Sequence, residues 1–286
     1  MSARGQSRPL RDIERYEQKY LVSPREAERV RRLIRPYCLP DSATRNGPYQ
    51  VLSLYLDGDH LPLYRATRAN ESARLKLRAR TYLGDAVYLE IKRKIRGMIW
   101  KSRARVTATA WSALFEQRST LRRDRRALLK GLSELELDTY HEFIHWRDRH
   151  QARPQVWVRY NREGYQSLEE SYARVTFDTQ VCGALPQGYA LPSPELPRPL
   201  HWRHLDYSDK LKSHAADVII ELKCERSVPD WMSELSRHLD ARSVGVSKYG
   251  LAIEQLLPGY ALRQRDALAR LTAPVGSSVI QRRGQR

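Results

Sequence analysis

Residues 72–106 constrain the fold most strongly, because they read as three consecutive β-strands with basic side chains at alternating positions. Their sequence is SARLKLRARTYLGDAVYLEIKRKIRGMIWKSRARV. Side chains of a strand point alternately to opposite faces, so each of these strands collects its cations on one face. Turn signals at Gly84-Asp85 and Arg96-Gly97 predict that the strands pair as an antiparallel meander. We therefore expect a sheet with one strongly cationic face.

Such a face needs a partner of opposite charge, because like charges on neighbouring strands destabilise a sheet. The alternative is the solvated face of an arginine-rich protein. Solvated faces usually mix both signs of charge, whereas this one carries a single acid, Glu90. The formal net charge of the whole chain is +18, which also points to an acidic partner. The pattern therefore favours a face that binds a polyanion.

The cysteines and the N-terminus limit the class of protein. Cys38, Cys182 and Cys224 are widely spaced, which argues against a disulfide framework and against a cysteine metal site. The N-terminus has no apolar signal-peptide core, and no apolar window reaches the length of a membrane span. We expect a cytoplasmic protein with no transmembrane segment of its own; a position at the inner face of a membrane stays open.

The rest of the chain predicts more strands and several helices. Ser23-Pro24-Arg25-Glu26 resembles a capping box and predicts a helix that runs to about Tyr37. Alternation predicts further strands at 13–22, 49–57, 155–162, 172–180 and 217–225. We expect one domain over residues 12–262, a disordered basic N-terminus over 1–11 and a mobile basic tail over 263–286.

One motif suggests zinc, but its context does not. His141-Glu142-Phe143-Ile144-His145 matches the HExxH pattern of zinc proteases, which places two imidazoles on one helix face. No third-ligand motif follows it, and the basic residues around it would oppose a dication. We expect a structural helix here.

A sheet of about eight antiparallel strands with a charged face can close on itself and turn that face inward as a tunnel. Arginine suits phosphate oxygens there because it binds them in a bidentate manner. The acids on these strands are Glu17, Glu90, Asp178 and Glu221. Acids inside a cationic tunnel suit a hard divalent metal that bridges phosphates. The expected fold class is α+β, a closed eight-stranded antiparallel β-tunnel with flanking helices.

At this point a set of motifs in a fixed order identifies a family. They are Arg15–Tyr20, Ser53–Asp57, Lys76–Tyr82, Leu89–Lys94, Tyr160–Arg162, Arg174–Thr179, Glu221–Lys223 and Ser247–Gly250. With them the chain resembles, over roughly residues 13–255, the VTC (vacuolar transporter chaperone) polyphosphate polymerase domain. That domain belongs to the triphosphate tunnel metalloenzyme (CYTH-like) superfamily.

The resemblance implies a polymerase that moves the γ-phosphate of ATP onto a growing polyphosphate chain, with Mn²⁺ or Mg²⁺ as cofactor. Its catalytic, phosphate-binding cations would be Lys19, Arg78, Arg80, Lys92, Lys101, Arg162, Arg174 and Lys248. Further cations of the same strands would also bind the ligand, namely Lys76, Lys94, Arg103 and Lys223. Glu221 would be the metal ligand, and Glu90 either assists with metal or orients the adjacent lysines.

Two alternatives for function stay open beside the polymerase. One is a tunnel triphosphatase that hydrolyses nucleoside triphosphate or tripolyphosphate, and the other is a non-enzymatic polyphosphate-binding module. The superfamily's usual Glu-x-Glu-x-Lys is Arg15-x-Glu17-x-Lys19 here, which is compatible with the polymerase branch. Nucleic acid is not expected as a partner, because the aromatic residues are not interleaved with the cations. Any delivery of product to a membrane would require a separate membrane protein.

Single residues also have structural alternatives. Arg162 and Arg174 could pair with Asp178 or Glu163 as ordinary scaffold, although strand parity favours the tunnel. Tyr55 and Tyr82 are expected in the core rather than as nucleotide-stacking platforms.

Overall fold

The computed structural model describes residues 15–82, 84–96, 98–116, 126–169, 172–193, 199–206, 217–225, 227–239 and 247–259. The predicted terminal segments 1–11 and 263–286 lie outside this part, so they and the single domain stay predictions. The described chain is α+β, an antiparallel sheet with flanking helices. Its strands are β1 (Arg15–Val22), β2 (Cys38–Pro40), β3 (Tyr49–Asp57), β4 (Ala73–Thr81), β5 (Ala86–Ile95), β6 (Met98–Thr107), β7 (Arg153–Ser167), β8 (Arg174–Ala184), β9 (Arg203–His204) and β10 (Val218–Glu225).

The three-stranded meander predicted from residues 72–106 is confirmed. β4 pairs antiparallel with β5, and β5 pairs antiparallel with β6. In this register Glu90 lies between Arg78 on β4 and Arg103 on β6. One rung further, Lys92 lies between Lys76 and Lys101. The charged positions of the three strands therefore share one face of the sheet.

The prediction of a closed eight-stranded barrel is wrong. The sheet has ten strands in the order β1-β10-β8-β7-β3-β4-β5-β6, with β2 beside β7 and β9 beside β8, and no described pairing joins β1 to β6. Lys92 on β5 and Glu17 on β1 meet only through side chains on the charged face, with Nζ 3.1 Å from Oε2.

Helices pack on the outer face of the sheet and also on the charged, inner face. They are α1 (Pro24–Ile34), α2 (Pro62–Arg68), α3 (Ala108–Trp111), α4 (Glu134–Arg149), α5 (Asp230–Leu239) and α6 (Lys248–Leu256), with a π-helical turn at Ser112–Glu116. One apolar cluster joins α1 and α5 to β1, β8 and β10 through residues such as Val30 and Leu235. Another joins α3 and α4 to β3–β6 through Trp111 and Phe143.

The helix ends follow local sequence. Ser23 caps α1, its hydroxyl accepting a hydrogen bond from the backbone N–H of Glu26 at 3.3 Å. The helix ends at Ile34 and not near Tyr37, because Pro36 has no backbone N–H with which to continue the helical hydrogen bonds. The predicted capping signal is therefore right, and the predicted end is three residues too late.

The HExxH segment belongs to α4, so the prediction of a helix at this segment is confirmed. Glu142 forms an ion pair with Arg93 (3.0 Å) and accepts a hydrogen bond from the indole N–H of Trp146 (3.2 Å). Within the described residues, no group of three His, Cys, Asp or Glu side chains is placed to hold a metal ion. The three cysteines are buried free thiols, as expected. No helix in the described part of the chain has the length and apolarity needed to span a membrane.

The inner face of the sheet has two halves. In one half α6 packs against β3, β7 and β10 through Tyr249, Ala252 and Ile253. In the other half none of the described helices covers the sheet, and the alternating charged side chains surround open space. This second half holds the candidate site.

Candidate functional site

A cavity of about 810 Å³ lies on the inner face and is lined by all eight strands of the main path. Of the fourteen site residues predicted from sequence, every one except Lys94 lines it. The predicted residues in the lining are Lys19, Lys76, Arg78, Arg80, Glu90, Lys92, Lys101, Arg103, Arg162, Arg174, Glu221, Lys223 and Lys248. Strand alternation brings these distant positions together, because each strand contributes every second side chain.

Glu90 is the centre of one charge cluster, and only 2% of its surface is exposed. Arg78 donates to Oε2 from Nε and Nη2, both at 2.6 Å. The cluster is completed by Arg80 at 3.8 Å, Lys101 at 3.4 Å and Arg103 at 3.4 Å. Burial alone would raise the pKa of Glu90, but the attraction of Arg78 and its neighbours outweighs it and holds the pKa far below the ordinary value. Glu90 is therefore ionised and bears one negative charge among four cations.

Glu221 is the centre of a second cluster on the other side of the cavity. Lys19 lies 2.9 Å from Oε1 and Lys223 lies 3.0 Å from Oε2, with Arg162 at 3.8 Å. Burial would raise its pKa, yet Lys223 and Lys19 hold the pKa well below the usual range. This cluster also contains a second acid, Glu17, which contacts Lys19 and lies 3.1 Å from Lys92.

Glu17 was named among the acids of the predicted tunnel but not among its predicted metal ligands. Burial and the nearby Glu221 both raise its pKa, but Lys92 and Lys19 lower it further, so the net shift is downward. The proximity of two ionised carboxylates is the property that a cation site needs. The signal in the sequence was its alternation with Lys19 on one face of β1.

The arrangement at Glu221 fits a divalent ion of a particular kind. Mg²⁺ is usually held by one or two carboxylates together with substrate phosphates and water, and not by a full cage of protein ligands. Glu17 and Glu221 provide such a pair, and the described residues contain no group of three ligands. Glu90 fits less well, because its four cations would repel a dication. The metal stays a prediction, and Glu221 with Glu17 are the residues that would hold it.

Arg162 combines the two alternatives that were predicted for it, an ion pair with an acid of the scaffold and a place in the wall of the cavity. It forms a bidentate ion pair with Asp178, at 2.6 Å and 2.8 Å, and it also lines the cavity. Lys248, the first residue of α6, joins the same carboxylate at 2.6 Å. Although burial would raise the pKa of Asp178, Arg162 and Lys248 lower it overall. Asp178 therefore fixes two of the predicted phosphate-binding cations relative to each other.

Arg174 also has an acidic partner, but not one of the two that were considered. Its Nη2 lies 2.6 Å from Oδ2 of Asp41, in the loop after β2, while Glu163 pairs with Arg31. Asp41 is a cavity-lining acid that no strand pattern could reveal, because it is not on a strand.

Two lysines of the cavity have unusual titration properties. Burial lowers the pKa of Lys76 to about 8, and nearby Lys92 and Lys19 add to this effect. Burial also lowers the pKa of Lys101 to about 8, although Glu90 opposes the shift. The Lys76 ammonium donates to the Ser247 hydroxyl at 3.2 Å. A bound anion would favour the charged form of both lysines.

Tyrosines line the cavity beside the cations. Two expectations are therefore wrong: that Tyr82 lies in the core, and that the aromatic residues are not interleaved with the cations. Tyr55 is buried as predicted, but Tyr82 is 37% exposed and is not a core residue. Tyr82 lies within 6.1 Å of Tyr49 and 5.8 Å of Tyr88, centroid to centroid. The guanidinium of Arg103 lies 3.6 Å from the ring centroid of Tyr88. Aromatic and cationic side chains are therefore interleaved, because the sheet places β3 and β5 on either side of β4.

Lys94 is the predicted site residue that the structure separates from the others. It has the same parity as Glu90 and Lys92, but it lies near the end of β5, opposite Ile99. It does not line the cavity.

Comparisons with known proteins were made against families, curated proteins and solved structures. The family described as "VTC domain" matches residues 14–257 of the chain. No curated protein matches. Among solved structures, the PH1819 protein from Pyrococcus horikoshii OT3 is similar, with 12% identity over 85% of this chain and 99% of that chain. The TM-score of this match is 0.38.

Proposed function

Because the chain belongs to the VTC domain family, we propose that it is an ATP-dependent polyphosphate polymerase that works in the cationic cavity. Membership of the family is consistent with a function in polyphosphate metabolism. The observation that supports the finer proposal is the pair of carboxylate-centred clusters at Glu90 and Glu221, within one cavity lined by cations. Such a cavity suits a linear polyanion with a metal ion at one place along it.

In the proposed reaction a terminal oxygen of the polyphosphate attacks the γ-phosphorus of ATP. The bond from that phosphorus to the β–γ bridging oxygen breaks, and ADP leaves with the electron pair. Phosphoryl transfer of this kind needs positioning and neutralisation of charge rather than a covalent nucleophile on the protein. The cations of the cavity would provide both, since guanidinium groups such as that of Arg78 bind phosphate oxygens in pairs.

The cluster at Glu221 would hold the divalent cofactor through Glu221 and Glu17. When bound, Mn²⁺ or Mg²⁺ would neutralise negative charge on the substrate phosphates. Lys19 and Lys223 already keep Glu221 ionised, so the ligand is in the correct protonation state before any metal binds. Glu90 would act differently, by keeping Arg78, Arg80 and Lys101 close together while the cavity is empty.

The tyrosine group supports a nucleotide as the phosphate donor. Tyr49, Tyr82 and Tyr88 lie where the cavity wall is partly exposed, and Arg103 is stacked on Tyr88. Bases stack on aromatic rings and on guanidinium planes without needing a specific edge contact. These rings would bind the adenine of ATP while its phosphates reach the cations of β4 and β6.

The proposal is tested by incubating the full chain with ATP and Mn²⁺ and separating the products on a gel stained for polyphosphate. A ladder of chains is expected from the wild type and from a Glu142→Gln control, whose ion pair with Arg93 lies outside the cavity. Glu221→Gln should produce no ladder. Orthophosphate alone from the wild type would identify a triphosphatase, and tight binding of polyphosphate without turnover would identify a binding module; either result overturns the polymerase.

A further inference from the structure

The end of the β5–β6 hairpin exposes an apolar pair beside the cavity. Ile95 and Met98 are direct partners in the register, and their side chains are 41% and 50% exposed. The next residues of β6, Ile99 and Trp100, are half-buried. Single exposed apolar residues are ordinary, but adjacent ones at the end of a hairpin in a strongly basic chain call for an explanation.

The same end of the sheet carries cations with no acidic partner. Arg74 and Lys94 lie directly opposite each other on β4 and β5, an arrangement of like charges that destabilises a sheet. Arg96 follows Ile95, and its backbone has a φ of +48°. Within the described chain none of these three forms an ion pair; Arg74 donates to the amide oxygen of Asn70 at 2.6 Å. The acid nearest in sequence is Glu71, in the exposed segment before β4.

The contrast with the cavity is informative. There most of the predicted cations contact carboxylates such as Glu90, Glu221 and Asp178, whereas the described residues of the hairpin end form no ion pair and leave apolar surface exposed. Cations next to exposed aliphatic side chains and a tryptophan are typical of a segment that lies at a membrane surface.

We propose that the β5–β6 hairpin end, defined by Arg74, Lys94, Ile95, Arg96 and Met98, docks on the surface of an anionic lipid bilayer. Ile95 and Met98 lie on the face of the sheet opposite to Arg74 and Lys94, so the hairpin would dock by its tip. Ile95 and Met98 would then enter the boundary between headgroups and acyl chains, and the three cations would contact acidic headgroups. A nucleic acid would also attract the cations, but it would gain nothing from two exposed aliphatic side chains. The lipid surface therefore accounts for both features.

Docking would orient the cavity with respect to the membrane. Ile99, directly opposite Lys94, lines the cavity, so one part of the cavity wall lies immediately next to the docking surface. A polyanion bound between β4 and β6 would then lie close to the lipid headgroups. This property is independent of the reaction, since the hairpin end contributes none of the residues placed in the two carboxylate clusters.

The test is flotation of the full chain with vesicles made of phosphatidylcholine and phosphatidylglycerol in equal parts, compared with vesicles of phosphatidylcholine alone. We expect binding to the anionic vesicles and a loss of about tenfold or more in the Ile95→Ser, Met98→Ser double variant. Leu135→Ser is the matched control, because Leu135 is 74% exposed on α4 and should leave binding unchanged. A Lys94→Glu, Arg96→Glu variant should also lose binding.

The variants share their termini with the wild type, so binding by the basic terminal sequences is the same in all of them. Unchanged vesicle binding in the serine double variant, or an equal loss in Leu135→Ser, would overturn the proposal. A parallel loss of binding to double-stranded DNA in the serine variant would also overturn it. Retained polyphosphate synthesis in each variant shows that the fold is intact.

Discussion

Glu90 and Glu221 are both buried, ionised glutamates in the same cationic cavity, yet their surroundings differ. Glu90 contacts four cations, and no second acid joins its described ion pairs. Glu221 contacts three cations, and it lies close enough to Glu17 to oppose the lowering of the Glu17 pKa by the neighbouring lysines. The first cluster has a larger surplus of positive charge and suits phosphate oxygens. The second brings two carboxylates together and suits a metal ion beside those oxygens.

The identity of an acidic residue does not by itself define its role in a cationic site. The role depends on whether another carboxylate converges on the same space. Four predictions test this difference between the two clusters.

The largest effect is expected for Glu221→Gln on turnover. The substitution keeps the shape of the side chain but removes the charge that would hold the cofactor. We expect the rate of polyphosphate synthesis from ATP to fall by about 10²-fold or more, as for other residues that stabilise charge in a transition state. Initial rates over a range of Mn²⁺ concentrations measure it. A variant with wild-type rates and wild-type metal dependence would remove Glu221 from the metal site.

Glu90→Gln should lower the free energy of unfolding of the empty protein, and a phosphate ligand should restore part of that loss. Removing one partner of a buried ion pair costs about 3–5 kcal/mol of unfolding free energy, because the remaining charges stay uncompensated. Here Arg78 and Lys101 would repel each other in the empty cavity. Tripolyphosphate should then stabilise the variant more than the wild type, since phosphate oxygens replace the lost carboxylate.

Chemical denaturation with and without tripolyphosphate checks this prediction. Glu142→Gln serves as the control, because that residue forms an ion pair away from the cavity. Equal stabilisation of wild type and Glu90→Gln by the ligand would mean that Glu90 does not occupy space used by phosphate.

Tyr88→Ala should separate nucleotide from polyphosphate binding. Stacking of a base on an aromatic ring contributes about 1–3 kcal/mol, so the affinity for ATP should fall while the affinity for tripolyphosphate stays close to that of the wild type. Calorimetric titration of both ligands measures this. Equal losses for the two ligands would show that Tyr88 supports the phosphate site and not the base.

The smallest effect concerns pH. A rise in pH should stabilise the empty protein but weaken its binding of a polyanion. Lys76 and Lys101 have pKa values of about 8 in the folded protein against an ordinary 10.5. Between these values the unfolded chain binds more protons, so the free energy of unfolding of the empty protein should rise with pH. A bound polyanion favours the charged lysines, so its affinity should fall over the same interval.

Lys101→Arg provides the control for the pH effect, because arginine keeps its charge throughout this range. The variant should lose part of the pH dependence of tripolyphosphate binding. If affinity and stability of the wild type change in the same direction above pH 8, the lysines are not the groups responsible.

The cationic face could be predicted because strand parity is a local property. The alternation in β4, β5 and β6 placed Arg78, Glu90 and Lys101 on one face, and the register of the neighbouring strands brings these positions next to one another. Parity does not reveal how far along a strand a cavity extends. Lys94 shows this limit, since it has the correct parity but lies beyond the cavity, at the hairpin end.

Features that depend on the curvature of the sheet could not be predicted. Whether β1 and β6 pair depends on the distance between strands far apart in sequence, and the described structure has no pairing between them. The tyrosine group depends on β3 lying beside β4, and Asp41 reaches Arg174 from a loop. β9 has only two residues, too few to show a period of two.

The most direct test of the account follows the γ-phosphate itself. The full chain is incubated with ATP labelled in the γ-phosphate, a short polyphosphate primer and Mn²⁺, and the label is measured in polyphosphate and in orthophosphate. The account predicts label in chains longer than the primer, and its absence from them in Glu221→Gln. Label that accumulates only in orthophosphate would contradict phosphoryl transfer to polyphosphate and with it the central claim.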